Sequence, residues 1–510
     1  SSQRAVRRRR QQRWLLALGA VALVVAAYST QSYLAHRALA AEISDELQVA
    51  RDARDNAHDA ARARGELAAQ ASAAFDAGRR GDGERLWRQG VAQRDNAYRA
   101  FRNAITHTEF ALAKDRTRSD VRQLAADILL DRAALADQVH DAQQRDELLE
   151  HVALYDPDGS RRARWDIPGH VIVRAPQGAA ISLEPPRPLG ANPRDLQLPR
   201  GSYVVAIAAP GRVPVRAPIL VERGGELTIQ VAPPRIEDVP AGFLYIPAGE
   251  FLYGNASDED RLTFFATTPL RRRTSEAFLI GRTEVTFGDW LAYVDAQPPG
   301  ERARLLPSVP SRLSGGVAIT PDGAGRWRIE LQIAARRYTA GWGEPILYSG
   351  RARQTVQDWR RFPVLGVSAD EATAYAAWLD RTRRVPGARL CSEVEWERAG
   401  RGADGRGYPA GHPLELDDAN IDEAHGQALK GPDEVGSHPA SRSPFGLDDM
   451  SGNALEWTVS ENAEEGYTLR GGSYWHDRKS AHITNRSYID ANVHDPNTGF
   501  RLCATPPLPR

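Results

Sequence analysis

The sequence predicts a multidomain chain: a single transmembrane helix, an α-helical stalk, a small β-sandwich module and a terminal irregular α+β domain. Three observations predict it. Residues 14–35 carry no charge and follow a run of arginines. Residues 36–155 are rich in Ala, Arg and Asp/Glu and nearly free of Pro. From Asp156 onward the chain breaks into short apolar runs separated by Gly/Pro turns. A length of 510 residues suits about three folded units. The formal net charge is zero, which gives no global case for nucleic acid as a partner. The first residue is not Met, so the sequence reads as a processed chain or the tail of a longer one. Two cysteines, Cys391 and Cys503, exclude a disulfide scaffold or a Cys-rich zinc ribbon. They leave open either one bridge or two free thiols.

Residues 1–13, SSQRAVRRRRQQR, hold six arginines and no acid. The uncharged stretch WLLALGAVALVVAAYSTQSYLA follows at 14–35; as a helix its 22 residues span about 33 Å, close to a bilayer core. Trp14, Tyr28 and Tyr33 suit the two interfaces, and no small-x-small cleavage site precedes a folded segment. The expectation is a permanent single span, with the Arg cluster cytoplasmic and residues 36–510 outside the membrane.

Residues 36–155 read as a stalk of helical hairpins. Val121, Leu124, Ile128, Leu135 and Val139 fall on one helical face, and Trp87, Val91, Tyr98 and Ile105 do the same one helix earlier. GRRGDG (78–83) supplies a turn. After DPDG, alternating runs such as HVIVRA, SYVVAIAA and ELTIQVA predict a small antiparallel sandwich over 168–234. PPRIEDVPAG (233–242) reads as a linker. The phrase LPRGSYVVAIAAPGRVPVRAPILVERGGELTIQV resembles the PEGA-type β-modules found outside bacterial membranes, which implies a spacer or adhesion unit.

The terminal domain, 240–507, announces itself by capped helices. Thr286 with Asp289, Ser368 with Glu371 and Ser392 with Glu395 each stand at capping-box spacing. Residues 296–360 read as an insertion containing a hairpin, GVAITPDGAGRWRIELQI. The PAGEF opening, the EVT helix, the RL-x-[ST]-E-x-E-W-E helix, GN-x-x-EW, RGGS and GFR occur in this order. Together they resemble the formylglycine-generating enzyme, or sulfatase-modifying factor, family. That resemblance implies an irregular fold of C-type-lectin type. The wider layout, with an Arg cluster, one span, a helical stalk, HVALYDPDGSRRARW and a β-module, resembles the extracytoplasmic tail of bacterial transmembrane Ser/Thr protein kinases. No Gly-rich loop, HRD or DFG constellation occurs in these residues, so this chain is not itself expected to phosphorylate.

The family's oxidases hold copper with two cysteines after GGSY; the matching positions here are His476 and Ala481, and Leu455 stands where the family has a Trp. Copper oxidation is therefore not expected and no catalytic residue is assigned; Ser473, which matches the family serine, and His476 are the weak candidates. The alternative is a metal-dependent oxidase, of the formylglycine-generating or non-haem iron type, with ligands drawn from His476, His482, His494, Asp477, Asp490 and Asp495. A family relative that uses iron takes its His ligands from a separate helical domain, and no matching His motif occurs in 36–155. Between Tyr474 and Asn497 more than half of the residues are Tyr, Asn, Asp, His, Ser or Thr, a mixture like that of a paratope. The expected ligand-binding set is Tyr474, Trp475, His476, Asp477, His482 and Asn485, continued by Arg486, Tyr488, Asn492, His494 and Asn497. The ligand class is a protein, small molecule or glycan, and ligand-induced homodimerisation is the simplest route for a signal across one helix. The resemblance also implies structural Ca²⁺ at Asp449, Gly452, Ala454 and Glu456, with Asn420 and Ile421 matching the start of a second site. It implies, too, a disulfide between the GFRL strand and the RL-x-[ST]-E helix, for which Cys391 and Cys503 are the candidates, although the family's helix-side cysteine lies nearer Gly400.

Overall fold

The structure is a computed structural model that describes residues 2–187, 189, 193–312, 315–323, 325–411, 414–462 and 464–507. Ser1 of the basic segment, 188 and 190–192 of the β-module, and 313–314 and 324 of the insertion lie outside the described residues. The chain divides into two compact units, 1–165 and 166–510.

The first unit is helical: α1 (Ser2–Asp76), α2 (Arg80–Lys114), α3 (Ser119–Gln138) and α4 (Ala142–Tyr155). The apolar segment and the first stalk helix are one uninterrupted helix, about 110 Å long at 1.5 Å per residue. It is long and apolar enough to cross a membrane. Trp14, Leu16, Leu23, Val24 and Tyr28 are exposed on it, as lipid-facing residues are. The α1–α2 seam is antiparallel, with Leu67 against Gly90 and Glu46 against His107. Its buried α2 residues Gly83, Gly90, Ala97, Ala104 and Ala111 recur every seven positions, opposite Ile43, Ala50 and Ala57 of α1. The expected Trp87–Ile105 face lies at the edge of this core, with Tyr98 and Ile105 packed against it. Trp87, Val91, Tyr98 and Ile105 are half-buried beside the seam, because small residues let the two backbones approach where rings would hold them apart. On α3, Val121, Leu124, Ile128 and Leu135 are buried as expected. DPDGSRRARW closes this unit and does not open the next. Residues 160–165 form a short helix, Trp165 is buried against Leu129 and Leu148, and Arg161 Nε donates to Asp127 at 2.7 Å.

The second unit begins with six strands: β1 (Gly169–Arg174), β2 (Ala180–Glu184), β3 (Asp195–Leu198), β4 (Gly201–Ala208), β5 (Val215–Val221) and β6 (Glu226–Gln230). They form two three-stranded sheets, β3–β1–β6 and β2–β4–β5, around Val171, Leu183, Val205 and Ile219. The pairing is not wholly antiparallel: β1 and β6 run parallel, since the chain crosses from one sheet to the other and back between them. The module sits against the following domain. Arg216 Nε donates to the Pro444 carbonyl at 2.8 Å, and Ser202 Oγ to Asp404 at 2.6 Å.

Beyond Gly242 the architecture is helices between small sheets. Strands 243–246, 278–281, 502–504 and 388–390 make one antiparallel sheet; 498–499, 455–459, 467–470 and 486–488 make a mixed one, with 498–499 parallel to 455–459. Helices 287–295, 369–381 and 393–401 each start on a formed capping box at Thr286/Asp289, Ser368/Glu371 and Ser392/Glu395. The insertion holds a four-stranded meander, 308–312, 315–321, 327–333 and 336–340, which includes the expected hairpin. Its Val317, Ile329 and Leu331 join the same core as Trp290, Trp359 and Phe500, so it is part of the domain's interior. Cys391 and Cys503 are joined by a disulfide of 2.09 Å between neighbouring strands.

Candidate functional site

The segment after strand 467–470 is aimed by two glycines in the left-handed region. Gly471 has φ +90° and Gly472 φ +71°; a Cβ at 472 would lie 2.8 Å from the Ala481 Cα, and one at 471 would lie 3.0 Å from the Trp396 ring. RGGS is thus a packing requirement. Ser473 Oγ accepts from the Trp475 N–H at 3.2 Å and lies 2.7 Å from His476 Nδ1, while the His476 N–H donates to the Ser473 carbonyl at 3.0 Å. The two weak catalytic candidates do meet, within one turn. Burial holds the His476 imidazole below its ordinary pKa. Among the described residues no carboxylate hydrogen-bonds its ring, so the third, orienting member of a nucleophilic triad is lacking. Ala481 is fully buried, and both cysteines of the chain are in the disulfide. The donors that copper-thiolate chemistry needs are therefore absent from this site.

The expected ligand-binding residues separate into two groups. Asp477, Tyr488, Asn492 and His494 are exposed, and Trp475, His476 and His482 are half-buried. Tyr474, Asn485, Arg486 and Asn497 are buried and support the face from behind, which corrects their assignment. Tyr474 packs in the main core with its hydroxyl on the Pro496 carbonyl at 3.2 Å, and Asn485 Nδ2 donates to the Ser480 carbonyl at 2.7 Å. Arg486 is locked by Glu393 at 2.9 Å and by Glu465. The three histidines are not gathered. His482 stacks on Phe265 at 4.8 Å, and His494 pairs with Glu371 at 3.0 Å, far along the segment from His476. A cleft of about 630 Å³ opens beside His494, between the insertion (Arg304, Ser308, Val309) and Glu371, Val493 and Asp495.

Behind the face lies a buried ionic frame. Arg501 meets Glu456 in a bidentate pair at 2.6 and 2.7 Å, and Trp396 Nε1 donates to the same carboxylate at 2.8 Å. Glu397 accepts from Arg401 at 2.9 Å and from Arg470. The Glu456 carboxylate is thus committed to Arg501 and Trp396. The Asn420 carbonyl accepts from the Asn453 N–H at 2.7 Å and lies where a Cβ on Gly452 would sit, and Ile421 is fully buried. Ala454 is fully buried as well.

Asp449 still fits a hard cation. It accepts the Gly436 N–H at 2.6 Å and faces a residue the sequence reading missed, Glu284 of the EVT helix start, whose Oε2 is buried with no hydrogen-bond partner. Burial, with the Asp449 charge beside it, pushes the Glu284 carboxyl well up; burial, with the Asp448 charge, pushes that of Asp449 to about 6. Two crowded carboxylates of this kind suit Ca²⁺, which would be held by Glu284 and Asp449 with backbone oxygens of the 449–454 loop. Sequence reasoning missed a second polar cluster as well. His425, Asp433 and His438 converge in the loop that precedes GN-x-x-EW; their spacing follows no helical or strand period, so only the folded loop reveals them.

The description "Sulfatase-modifying factor enzyme 1-like domain" matches residues 230–506. Mouse (Mus musculus) "Inactive C-alpha-formylglycine-generating enzyme 2" is 28% identical over 52% of this chain and 87% of its own length. Mycobacterium tuberculosis "Hercynine oxygenase" is 33% identical over 36% of this chain and 38% of its own. The Chlamydia pneumoniae "Serine/threonine-protein kinase pkn1" is 36% identical over 19% of this chain and 14% of its own. Most of the mycobacterial and chlamydial proteins thus lies outside the match. Pseudomonas aeruginosa PvdO is a solved structure similar to 52% of this chain and 94% of its own, at 22% identity and a TM-score of 0.38. With six motifs in order and the domain matched across 230–506, this chain belongs to the sulfatase-modifying-factor (formylglycine-generating enzyme) family.

Proposed function

We propose that this chain is the extracytoplasmic sensory region of a membrane-spanning bacterial Ser/Thr kinase, and that its terminal domain binds a ligand and does not oxidise one. The observation that carries the reading is the donor set: His476 and Ala481 stand where the family's copper thiolates would, and the chain's two cysteines are bonded to each other. Half-buried Trp475, exposed Asp477, Tyr488 and Asn492, and the cleft beside His494 form the ligand face. The ligand is a protein, small molecule or glycan, and Ca²⁺ at Glu284 and Asp449 is structural. The kinase context is supported by the Arg-flanked apolar helix and by the chlamydial relative named above. In this arrangement residues 1–13 are cytoplasmic, 14–35 span the membrane, and ligand-induced pairing of chains carries the signal across a single helix. The coding sequence upstream of Ser1 tests the context: a kinase domain supports it, and an unrelated or absent upstream domain sinks it. Glycan-array and proteome-display binding to the terminal domain, compared with Trp475→Ala and Tyr488→Ala, tests the binding face; the expected result is one ligand class lost in both variants.

A further inference from the structure

The loop 417–438 brings two imidazoles to one carboxylate oxygen. His425 Nε2 and His438 Nε2 each lie 3.0 Å from Asp433 Oδ2, and the three atoms lie within 4.8 Å of one another. The side chains are nearly closed to solvent, at 5%, 6% and 0% exposure respectively. The other Asp433 oxygen, Oδ1, is fixed by Arg351 Nη1 at 2.6 Å and Gln357 Nε2 at 2.5 Å, which aims Oδ2 at the histidines. His438 Nδ1 lies 3.2 Å from the Asp417 carbonyl. A carbonyl only accepts, so that nitrogen carries the proton, and Nε2 of the neutral ring presents a lone pair to the carboxylate. Two acceptors at 3.0 Å repel each other unless a cation lies between them or the ring takes a second proton.

We propose that His425, Asp433 and His438 form a binding site for one divalent transition-metal cation of the zinc type. Two imidazole nitrogens and one carboxylate oxygen are its usual donors. Bonds of about 2.0–2.1 Å set tetrahedral ligand–ligand edges of about 3.3 Å, so the two 3.0 Å edges open slightly while the two imidazole nitrogens, within 4.8 Å of each other, draw together. The outer partners are in place: the Asp417 carbonyl on His438, and Arg351 and Gln357 on Asp433. Its donors are not those at His476 and Ala481, nor the oxygens of Glu284 and Asp449, to which Asn453 links it: Asn453 Nδ2 lies 3.3 Å from both Glu284 Oε1 and the Asp433 carbonyl. Its role is to clasp a loop that buttresses the ligand face. From this loop Lys430 Nζ lies 3.7 Å over the Trp475 ring, and the Asp422 N–H donates to the His476 carbonyl at 3.0 Å. The Asp433 N–H also donates to Asn453 Oδ1 at 3.0 Å, which joins the clasp to GN-x-x-EW.

The test uses the purified full chain, stripped with chelator and returned to millimolar CaCl₂ so that oxygen-only sites are filled. Co²⁺ is then titrated in, followed by Zn²⁺. The expected result is one equivalent of Co²⁺ with the visible absorption of a tetrahedral ion, displaced by Zn²⁺. His425→Gln and His438→Gln should each weaken Zn²⁺ by more than the roughly 10–100-fold that loss of an outer-shell partner costs. His482→Gln and His494→Gln should bind as the parent does. X-ray absorption of the Zn²⁺-loaded parent should count two imidazoles, and that reading stands even if a variant fails to fold. Substoichiometric Co²⁺ and Zn²⁺ in the parent, fewer than two imidazoles, or unchanged affinity in both His425→Gln and His438→Gln overturns the proposal.

Discussion

Arg501→Met is the sharpest perturbation of the frame that holds the candidate face. Arg501 and Glu456 have side chains wholly shielded from solvent. They share two charge-assisted hydrogen bonds at 2.6 and 2.7 Å, and Arg501 also donates to the carbonyls of Gly281, Arg282, Asp448 and Asp449 at 3.1–3.3 Å. Methionine keeps much of the volume but strands the Glu456 carboxylate, leaving only the Trp396 N–H on it. Leaving one partner of a buried pair uncompensated costs about 3–5 kcal/mol. Adding Glu456→Gln removes the stranded charge, so the double variant should recover about half of that loss; the four carbonyls deprived of a donor account for the rest at about 0.5 kcal/mol each. The assay is urea denaturation of the full chain followed by tryptophan fluorescence, to which the fully buried Trp290, Trp359, Trp396 and Trp457 report this domain. A cost below about 1 kcal/mol for Arg501→Met, or strict additivity in the double variant, would refute the reasoning. The same pair gives the EW and GFR motifs a structural role: they supply the two halves of one internal salt bridge.

Three further outcomes are expected. The raised Asp449 carboxyl binds its proton more tightly in the folded state than unfolded, so stability from this group is present at low pH and is lost as pH rises from about 4 through about 6; Ca²⁺ should therefore raise Tm more at pH 7.5 than at pH 5, read by thermal shift against chelator. Cys391→Ala with Cys503→Ala opens a bridge across 112 residues and should cost about 2–5 kcal/mol in non-reducing denaturation, with no effect of reductant on the variant. His476→Cys with Ala481→Cys places two thiols at the family positions and should confer Cu(I) binding that the parent lacks, measured by competition with a chromogenic chelator.

Local rules carried much of the fold. Ser368 and Glu371, or Ser392 and Glu395, announce a helix start from four residues of sequence, and each box is formed. The hairpin at 315–333 follows from alternation around a Gly-rich turn. What stayed hidden depends on distance in the fold. Nothing in YWHDRKSAHITNRSYIDANVHDPN distinguishes Arg486, which neutralises Glu393 inside the domain, from Tyr488 two residues on, which faces water. A polar residue's burial is set by its partner, and here the partner lies 93 positions away. Glu284 was legible as part of EVT but not as the carboxylate facing Asp449. In the stalk, large side chains drew attention to Trp87 and Tyr98 while the seam ran through Gly90 and Ala97, which have little side chain to mark a pattern.

The account rests on a family scaffold that holds no thiolate pair at its oxidation site. The direct measurement is incubation of the purified, Cu(I)-supplemented chain with a cysteine-bearing peptide under oxygen, with mass spectrometry of the product. The account predicts unmodified peptide at every time point. Catalytic conversion of that cysteine to an aldehyde would contradict it.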